Sequence, residues 1–242
     1  MRWQGIAIGI VLVVTGLLTA ACEEAGGPGV IDGSTPGILA EDTAEPSIDW
    51  LDEASPEASP TPLPPAIELR AAISDGKVSI KLRGIGLEAV QLTLTPKIET
   101  AIRVVVNPGT MLVPRASGTQ TMVVIDKAVI TLEPEVSVEA ELEVACAQMH
   151  DAMPETSDSF RVSSSRAPTD LLKLLRLPAF AGEDFRVKQF AVWTITDNPS
   201  RSGYVGLSSW VESGGPTKAE FARIAELFDQ AGIAAGHYRA LR

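Results

Sequence analysis

The chain has few of the residues from which most metal and redox sites are built. Its 242 residues include two cysteines, Cys22 and Cys146, and two histidines, His150 and His237. Two histidines without cysteines or carboxylates at ligand spacing do not make a zinc site. One cysteine downstream of Cys22 has no partner for an intrachain disulfide. The sequence therefore predicts neither a metal centre nor a disulfide framework.

The sequence patterns of common catalytic folds are also missing. The chain contains no P-loop, no dinucleotide-binding glycine fingerprint and no G-x-S-x-G nucleophile elbow. Gly84-Ile85-Gly86 lies between two predicted strands, where a turn or bulge accounts for it. His150 and Asp151 are adjacent in sequence, and adjacency alone does not make a catalytic dyad. We therefore expect a protein that is not an enzyme and holds no cofactor.

Positive charge is scarce, because the formal net charge is −11. Such a balance does not supply the basic face that nucleic-acid binding requires. Residues 23–65 contain ten acidic residues, no lysine or arginine, and eight prolines, while 66–242 hold 19 basic and 21 acidic residues. This composition predicts a disordered stalk over 22–65. Its acidity would hold the following domain away from anionic lipid headgroups.

The N-terminus, residues 1–21, has the features of an export signal. Arg2 supplies a positive charge, and an apolar run covers 6–18 with only Gly9, Thr15 and Gly16 interrupting it. The run is shorter than the roughly 20 residues that a membrane-spanning helix needs. A cleaved signal peptide is therefore predicted in preference to a permanent transmembrane anchor.

The end of this signal, Thr19-Ala20-Ala21-Cys22, resembles the lipobox of bacterial lipoproteins. Thr19 stands where that motif most often has leucine. The resemblance implies cleavage before Cys22, a diacylglycerol on its sulfur and an acyl chain, such as palmitate, on its amine. It places the protein on the extracytoplasmic side of a bacterial envelope, held to the membrane by lipid. The alternative is ordinary cleavage after Ala20 or Ala21 and full secretion.

Residues 66–147 alternate between polar and apolar side chains in short runs separated by turns. The clearest run is 136–146, where apolar residues alternate with Ser137 and three glutamates. Predicted strands cover 67–74, 78–82, 90–94, 102–106, 111–113, 121–125, 128–132 and 136–146. This spacing predicts a mainly β protein, with an immunoglobulin-like antiparallel β-sandwich over 66–147. Such an architecture carries no function by itself.

Residues 148–242 change to a helical pattern and predict a small cap region. The stretch 150–166 is polar and rich in turn residues, and a short helix is predicted over 170–177 with Thr169 as its cap. The stretch 183–196 is ambiguous, although Phe185, Gln189, Val192 and Trp193 share a face at helical spacing. Thr217 and Glu220 form a capping box before an apolar stripe, and Gly232 suits the residue after the helix end.

Cys146 and Gln189 could carry an unusual reaction. Gln189-Phe190-Ala191-Val192-Trp193 resembles the Q-x-x-aliphatic motif, often followed by tryptophan, of the thioester domains of Gram-positive surface adhesins. The resemblance implies a bond between the Cys146 and Gln189 side chains that acylates a nucleophile. Ala145 departs from the bulky residue usual there. The alternative is that Cys146 is a small buried residue and Gln189 bridges backbone groups.

Two functional hypotheses follow. The first is a lipid-anchored, non-catalytic surface module that binds a protein, a glycan or an envelope component. Trp193, Tyr204 and Trp210 would be binding aromatics on its cap, or alternatively core residues. The second is covalent attachment through Cys146 and Gln189. The sequence carries no signal for the ligand or the oligomeric state.

Overall fold

The computed structural model of the chain describes residues 62–204 and 215–242, in which nine strands form two sheets. The strands are β1 (Ala66–Glu68), β2 (Val78–Gly84), β3 (Ala89–Pro96), β4 (Ile102–Val106), β5 (Thr110–Pro114), β6 (Met122–Val124), β7 (Ala128–Leu132), β8 (Val138–Cys146) and β9 (Ser159–Arg166). The predicted signal peptide, Cys22 and the predicted stalk up to residue 61 lie outside the described residues.

Six of the strands close into an antiparallel barrel. They pair in the order β2, β3, β8, β6, β5 and β9, and β9 returns to β2. The pairings of β2 with β3 and of β3 with β8 run over seven and six residue pairs. The closing pairing is far shorter, since it consists of Leu82 with Phe160 and Arg83 with Ser159. The barrel is therefore continuous but narrowly joined at one seam.

The remaining strands form a small separate sheet. Strand β4 lies in its centre, parallel to β1 and antiparallel to β7. Val104 and Val106 of β4 are fully buried, while Val129 of β7 is 50% exposed. The sheet thus has one buried face and one that meets solvent.

The predicted immunoglobulin-like β-sandwich is wrong, because six strands form a closed barrel. The broader prediction, a mainly β protein with a helical C-terminal region, is confirmed. Alternating apolar and polar residues show that a strand has one buried face, and this holds equally in a sandwich and in a barrel. The two architectures differ in which distant strands pair, and side-chain alternation does not contain that information.

The strand that closes the barrel, β9, lies in a stretch whose sequence predicts turns. Phe160 and Val162 show the alternation of a strand, but three serines follow over 163–165. The pairing of β5 with β9 is irregular opposite these serines, between Thr110 and Leu112. A bulge of this kind breaks the period of two by which a strand is identified. The barrel therefore extends past residue 147, at which the sequence placed the end of the β domain.

Residues 67–74 are also not the continuous strand that the sequence predicts. Strand β1 ends at Glu68, and a short helix of six residues, α1 (Leu69–Ser74), follows it. Leu69 and Ala72 are buried at helical spacing. Gly76, with φ of 68°, joins this helix to β2 and is not the turn of a hairpin between two strands.

Four further helices follow the barrel, and short 3₁₀ turns cover Arg201–Tyr204, Ala235–His237 and Arg239–Leu241. The helices are α2 (Thr169–Leu174), α3 (Pro178–Ala181), α4 (Phe185–Thr196) and α5 (Lys218–Gln230). Pro168, not Thr169, occupies the N-cap of α2. No helix within 62–204 or 215–242 is long and apolar enough to cross a bilayer.

Helix α4 is the central element of the helical region. Its residues from Val187 to Ile195 are all buried, which resolves the ambiguity of the sequence in favour of a helix covered on every side. Lys188, in this buried stretch, reaches Glu143 of β8 with an Nζ to Oε1 distance of 2.8 Å. This ion pair joins α4 to the C-terminal half of β8, the strand that ends at the candidate site residue Cys146.

Candidate functional site

Cys146, the last residue of β8, and Gln189 of α4 are hydrogen-bonded neighbours. The Cys146 N–H donates to Gln189 Oε1 at 2.8 Å, and Gln189 Nε2 donates to the Cys146 carbonyl oxygen at 2.7 Å. Each residue is 1% exposed. The structure thus brings together the two residues singled out in the sequence, and both hydrogen bonds use the main chain of Cys146.

The direction of the main-chain groups of β8 explains this contact. Successive residues of an antiparallel strand direct their N–H and C=O groups to alternate sides. The Ala147 N–H donates to the Thr121 carbonyl, toward β6, and the Val144 N–H donates to the Glu88 carbonyl, toward β3, each at 2.8 Å. The main-chain groups of Cys146 therefore face the β3 side, like those of Val144.

The chain that would pair with Cys146 on that side turns away before reaching it. Strand β3 begins at Ala89, and the Ile85 N–H donates to the Ala89 carbonyl within the turn from β2. The Gln189 carboxamide offers one acceptor and one donor in the arrangement of a peptide group. It takes the place of a strand partner and satisfies two buried main-chain groups of Cys146.

The Cys146 thiol is protected and weakly acidic. Burial raises its pKa to about 12, and Sγ lies 3.6 Å from the thioether sulfur of Met122. A thiol in such surroundings stays protonated at neutral pH, and the thiolate is the nucleophilic form. Condensation of the Cys146 and Gln189 side chains would release ammonia, and it would remove the nitrogen that donates to the Cys146 carbonyl.

The aromatic residues that the sequence offered as a binding patch are buried where the structure describes them. Trp193 is 3% exposed and Tyr204 is 1% exposed. The Tyr204 hydroxyl lies 2.7 Å from Thr194 Oγ1, and its ring packs edge-on against Phe190 with centroids 5.5 Å apart. These contacts place both residues in the core of the helical region. Trp210 lies outside the described residues.

The histidines are not drawn into a ligand cluster. His150 and His237 are both exposed. Among residues 62–204 and 215–242, no three histidine, cysteine or carboxylate side chains lie close enough together to hold a metal ion. Cys22, the predicted lipidation residue, lies outside this part of the chain.

A cavity of about 420 Å³ forms where β1, α1, the β4–β5 turn, the end of β9 and α2 meet. Three arginines and one glutamate supply its charged lining, together with polar and apolar residues; Glu68, Arg166 and Arg176 are exposed at its mouth and Arg70 is half-buried. Residues important for its chemistry are Glu68, Arg70, Asn107, Arg166, Leu172 and Arg176. We call it the arginine-lined cavity. Its volume falls within the range of small-molecule binding sites.

Arg70 is held in place by the last strand of the barrel. Its Nη1 donates to the Ser164 carbonyl at 3.0 Å and its Nη2 to the Ser165 carbonyl at 2.7 Å. These carbonyls lie beyond the short stretch in which β9 pairs with β2. Carbonyl oxygens orient the guanidinium but leave its positive charge without a counterion.

The other charged groups of the cavity have no protein partner within the described part of the chain. The structure records no hydrogen bond or ion pair for the side chains of Arg166, Arg176 and Glu68 across 62–204 and 215–242. Arg166 ends β9 and Arg176 follows α2. Two positive charges therefore converge on the cavity beside that of Arg70, opposed by one carboxylate.

The β4–β5 turn that forms one wall is locally rigid. The Gly109 N–H donates to the Val124 carbonyl at 2.8 Å, and Thr110 Oγ1 donates to the Asn107 carbonyl at 2.7 Å. Gly109 has φ of 85°, and a Cβ on it would overlap the side chain of Leu172 in α2. Glycine is thus needed for the backbone conformation, and a larger residue would also require the Leu172 side chain to move.

Sequence reasoning missed this cavity. Its arginines lie on three elements separated by up to about a hundred residues, and one of those elements, β9, was not predicted. The turn around Asn107-Pro108-Gly109 is visible in the sequence, but only as a turn. No spacing rule connects residues that tertiary packing brings together from distant parts of the chain.

Comparison with known proteins yields no relative: no family model, no curated protein and no solved structure matches this chain significantly. Function is a property of sites and their chemistry, since one fold can serve many activities. The two arrangements described above are therefore the basis for a function: the Cys146–Gln189 pair and the arginine-lined cavity.

Proposed function

We propose that the chain is an exported, lipid-anchored and non-catalytic module on the extracytoplasmic side of a bacterial envelope, and that it binds its ligand without covalent chemistry in the arginine-lined cavity. The observation that carries the proposal is the cavity itself, with three arginines facing one carboxylate in about 420 Å³. Unneutralised charge in a concave site favours ligands of opposite charge. The hydroxyl group of Thr110 in the lining donates to the Asn107 carbonyl oxygen at 2.7 Å.

Membrane attachment in this proposal depends on Cys22. Thr19-Ala20-Ala21-Cys22 supports it through its likeness to a lipobox, and the acidic residues of 23–65 suit a spacer repelled by anionic headgroups. One acyl chain gives only marginal membrane binding, whereas a diacylglycerol with an additional acyl chain gives a stable anchor.

Replacing Cys22 with alanine tests the anchor. In bacteria fed radiolabelled palmitate, we expect Cys22→Ala to lose the label and to leave the membrane fraction. Cys146→Ala is the matched control, because it removes the other cysteine, and it should keep both label and membrane attachment. If the Cys22→Ala protein kept the label, the lipobox interpretation would be wrong.

The second candidate function is covalent attachment through a thioester between Cys146 and Gln189. The observation in its favour is that the two residues are hydrogen-bonded neighbours, at 2.8 and 2.7 Å. Two others favour a structural role: Gln189 bonds the Cys146 main chain, and the thiol is buried. A thioester that reacts with an external amine must be reachable by it. We therefore prefer non-covalent binding in the arginine-lined cavity to covalent attachment as the proposed function.

A further inference from the structure

The arginine-lined cavity has a charge that selects among anionic ligands. Its three arginines and one glutamate leave the lining positive by two charges, although the whole chain is negative by 11. Arginine keeps its proton at every physiological pH. The cavity is therefore a permanently positive site on a domain, 66–242, whose 19 basic and 21 acidic residues are nearly balanced.

The lining also presents hydrogen-bond donors. A guanidinium has five N–H groups, and Arg70 uses one on each Nη for the carbonyls of Ser164 and Ser165, which leaves three. The guanidinium groups of Arg166 and Arg176 keep all of theirs, because the described residues record no partner for them. Donors in such number match a ligand with several acceptor oxygens.

We propose that the cavity binds a small phosphate monoester, an inference that rests on the cavity being the binding site of the proposed function. A carboxylate carries one charge and two oxygens, and a single guanidinium fork satisfies it. A phosphate monoester carries close to two charges at neutral pH and three terminal oxygens. Three arginines against Glu68 match the phosphate in charge and exceed what a carboxylate can use.

The rest of the lining indicates what the phosphate is attached to. Glu68 is an acceptor without a recorded partner, and it would repel a bare anion while binding a hydroxyl group. Leu172 and Leu175 of the α2 region offer apolar surface for a short carbon skeleton. The ligand class that satisfies the three parts of the cavity is a phosphorylated polyol or sugar.

Calorimetric titration of the full chain in neutral detergent with glycerol 1-phosphate tests this assignment. We expect saturable binding with a Kd below about 1 mM. Arg166→Gln and Arg176→Gln should each weaken it by at least about tenfold, since each removes charge-assisted hydrogen bonds. Arg161→Gln is the matched control: Arg161 is exposed on the same strand, outside the cavity, and its loss should change the Kd by less than about twofold.

A second arm distinguishes a soluble phosphate ester from a lipid headgroup. The chain is placed in phosphatidylcholine nanodiscs with or without phosphatidic acid, and its Tm is measured. A rise in Tm with phosphatidic acid that Arg166→Gln abolishes identifies the headgroup as the source of the phosphate monoester. A rise in Tm on addition of glycerol 1-phosphate, without a rise with phosphatidic acid, identifies a soluble ester.

Three results would overturn the inference. They are no binding in either arm, equal weakening by Arg161→Gln, and binding of succinate that is tighter than that of glycerol 1-phosphate and still depends on Arg166. The third outcome removes the phosphate but keeps the cavity as a binding site. Release of Cys22→Ala from membranes is independent of all three, so failure of the anchor and failure of the ligand assignment are distinguishable.

Discussion

Gln189 provides the main chain of Cys146 with the hydrogen bonds that a neighbouring strand provides elsewhere in the barrel. Its carboxamide pairs with the N–H and C=O of a strand residue whose β3 partner has turned away. Both groups are buried, and an unpaired buried main-chain group is costly. The side chain therefore joins α4 to the end of β8 through two hydrogen bonds.

Removal of the Gln189 side chain should destabilise the folded protein. Gln189→Ala leaves two main-chain groups and a small void buried, and we expect a loss of roughly 2–5 kcal/mol in the free energy of unfolding. Urea denaturation measures this loss. Gln230→Ala, exposed at the end of α5, is the control and should change the value by no more than about 0.5 kcal/mol. Similar losses of stability in both variants would show that Gln189 does not take the place of a strand partner for Cys146.

At the scale of single residues, the sequence identifies which residues are in contact or buried more reliably than it identifies what they do. A resemblance to thioester domains points to Cys146 and Gln189, and the structure shows that Gln189 also pairs with the main chain of Cys146. The burial of Trp193 and Tyr204 follows from α4 being covered on all sides, which a single apolar stripe does not reveal. Arg70, Arg166 and Arg176 carried no local signal, because an isolated exposed arginine is ordinary in any sequence.

At the scale of elements, α5 follows its sequence closely because the signals at both of its ends are local. Thr217 and Glu220 form the predicted capping box. At the other end the Ile233 N–H donates to the Phe228 carbonyl and the Gly232 N–H to that of Asp229, which is the Schellman arrangement. Each signal needs only residues within six positions of one another, so the sequence contains all of it.

Gly232 gives a direct test of that helix end. Its φ is 64° and open space surrounds it, so Gly232→Ala adds backbone strain without a clash. We expect a loss of about 1 kcal/mol in stability. Gly236→Ala is the matched control, since Gly236 is also in open space but does not have a positive φ. Thermal unfolding of the two variants should separate them, and equal Tm values would contradict the cap.

Strand β9 and helix α1, in contrast to α5, are not evident from their local sequence. The serines of 163–165 obscure the alternation of β9, and α1 is six residues long without a side-chain cap. Both elements exist because of what they contact: β9 lies between β5 and β2, and Arg70 of α1 bonds the carbonyls that β9 leaves beyond its pairing with β2. Tertiary context of this kind overrides local propensity.

At the scale of the whole molecule, the pairing of β9 with β5 brings Arg166 to the candidate site, because Thr110 of the cavity wall lies opposite Arg166. The end of β9 carries Arg166 into the same cavity as Arg70 and the β4–β5 turn. A sandwich confined to 66–147 would have no β9 and no such cavity. The sequence predicts the mainly β class correctly because that class depends on alternation, and it fails on architecture because closure depends on pairs such as Leu82 with Phe160.

A truncated chain tests whether β9 belongs to the folding unit. A fragment of residues 66–147 leaves β2 and β5 with open edges, since β9 is their shared partner. We expect this fragment to show no cooperative urea transition by far-ultraviolet circular dichroism, whereas residues 62–242 should unfold in one. A cooperative transition in the short fragment would mean that the first eight strands suffice.

The central claim is that the protein binds its ligand without forming a covalent bond, and the state of Cys146 tests it most directly. In the Cys22→Ala chain, Cys146 is the only cysteine. The measurement is its intact mass, together with thiol labelling in the native and unfolded states. We predict the calculated mass and labelling only after unfolding, because burial protects the thiol. A mass about 17 Da lower, with no labelling, would contradict the claim and establish a thioester through loss of ammonia.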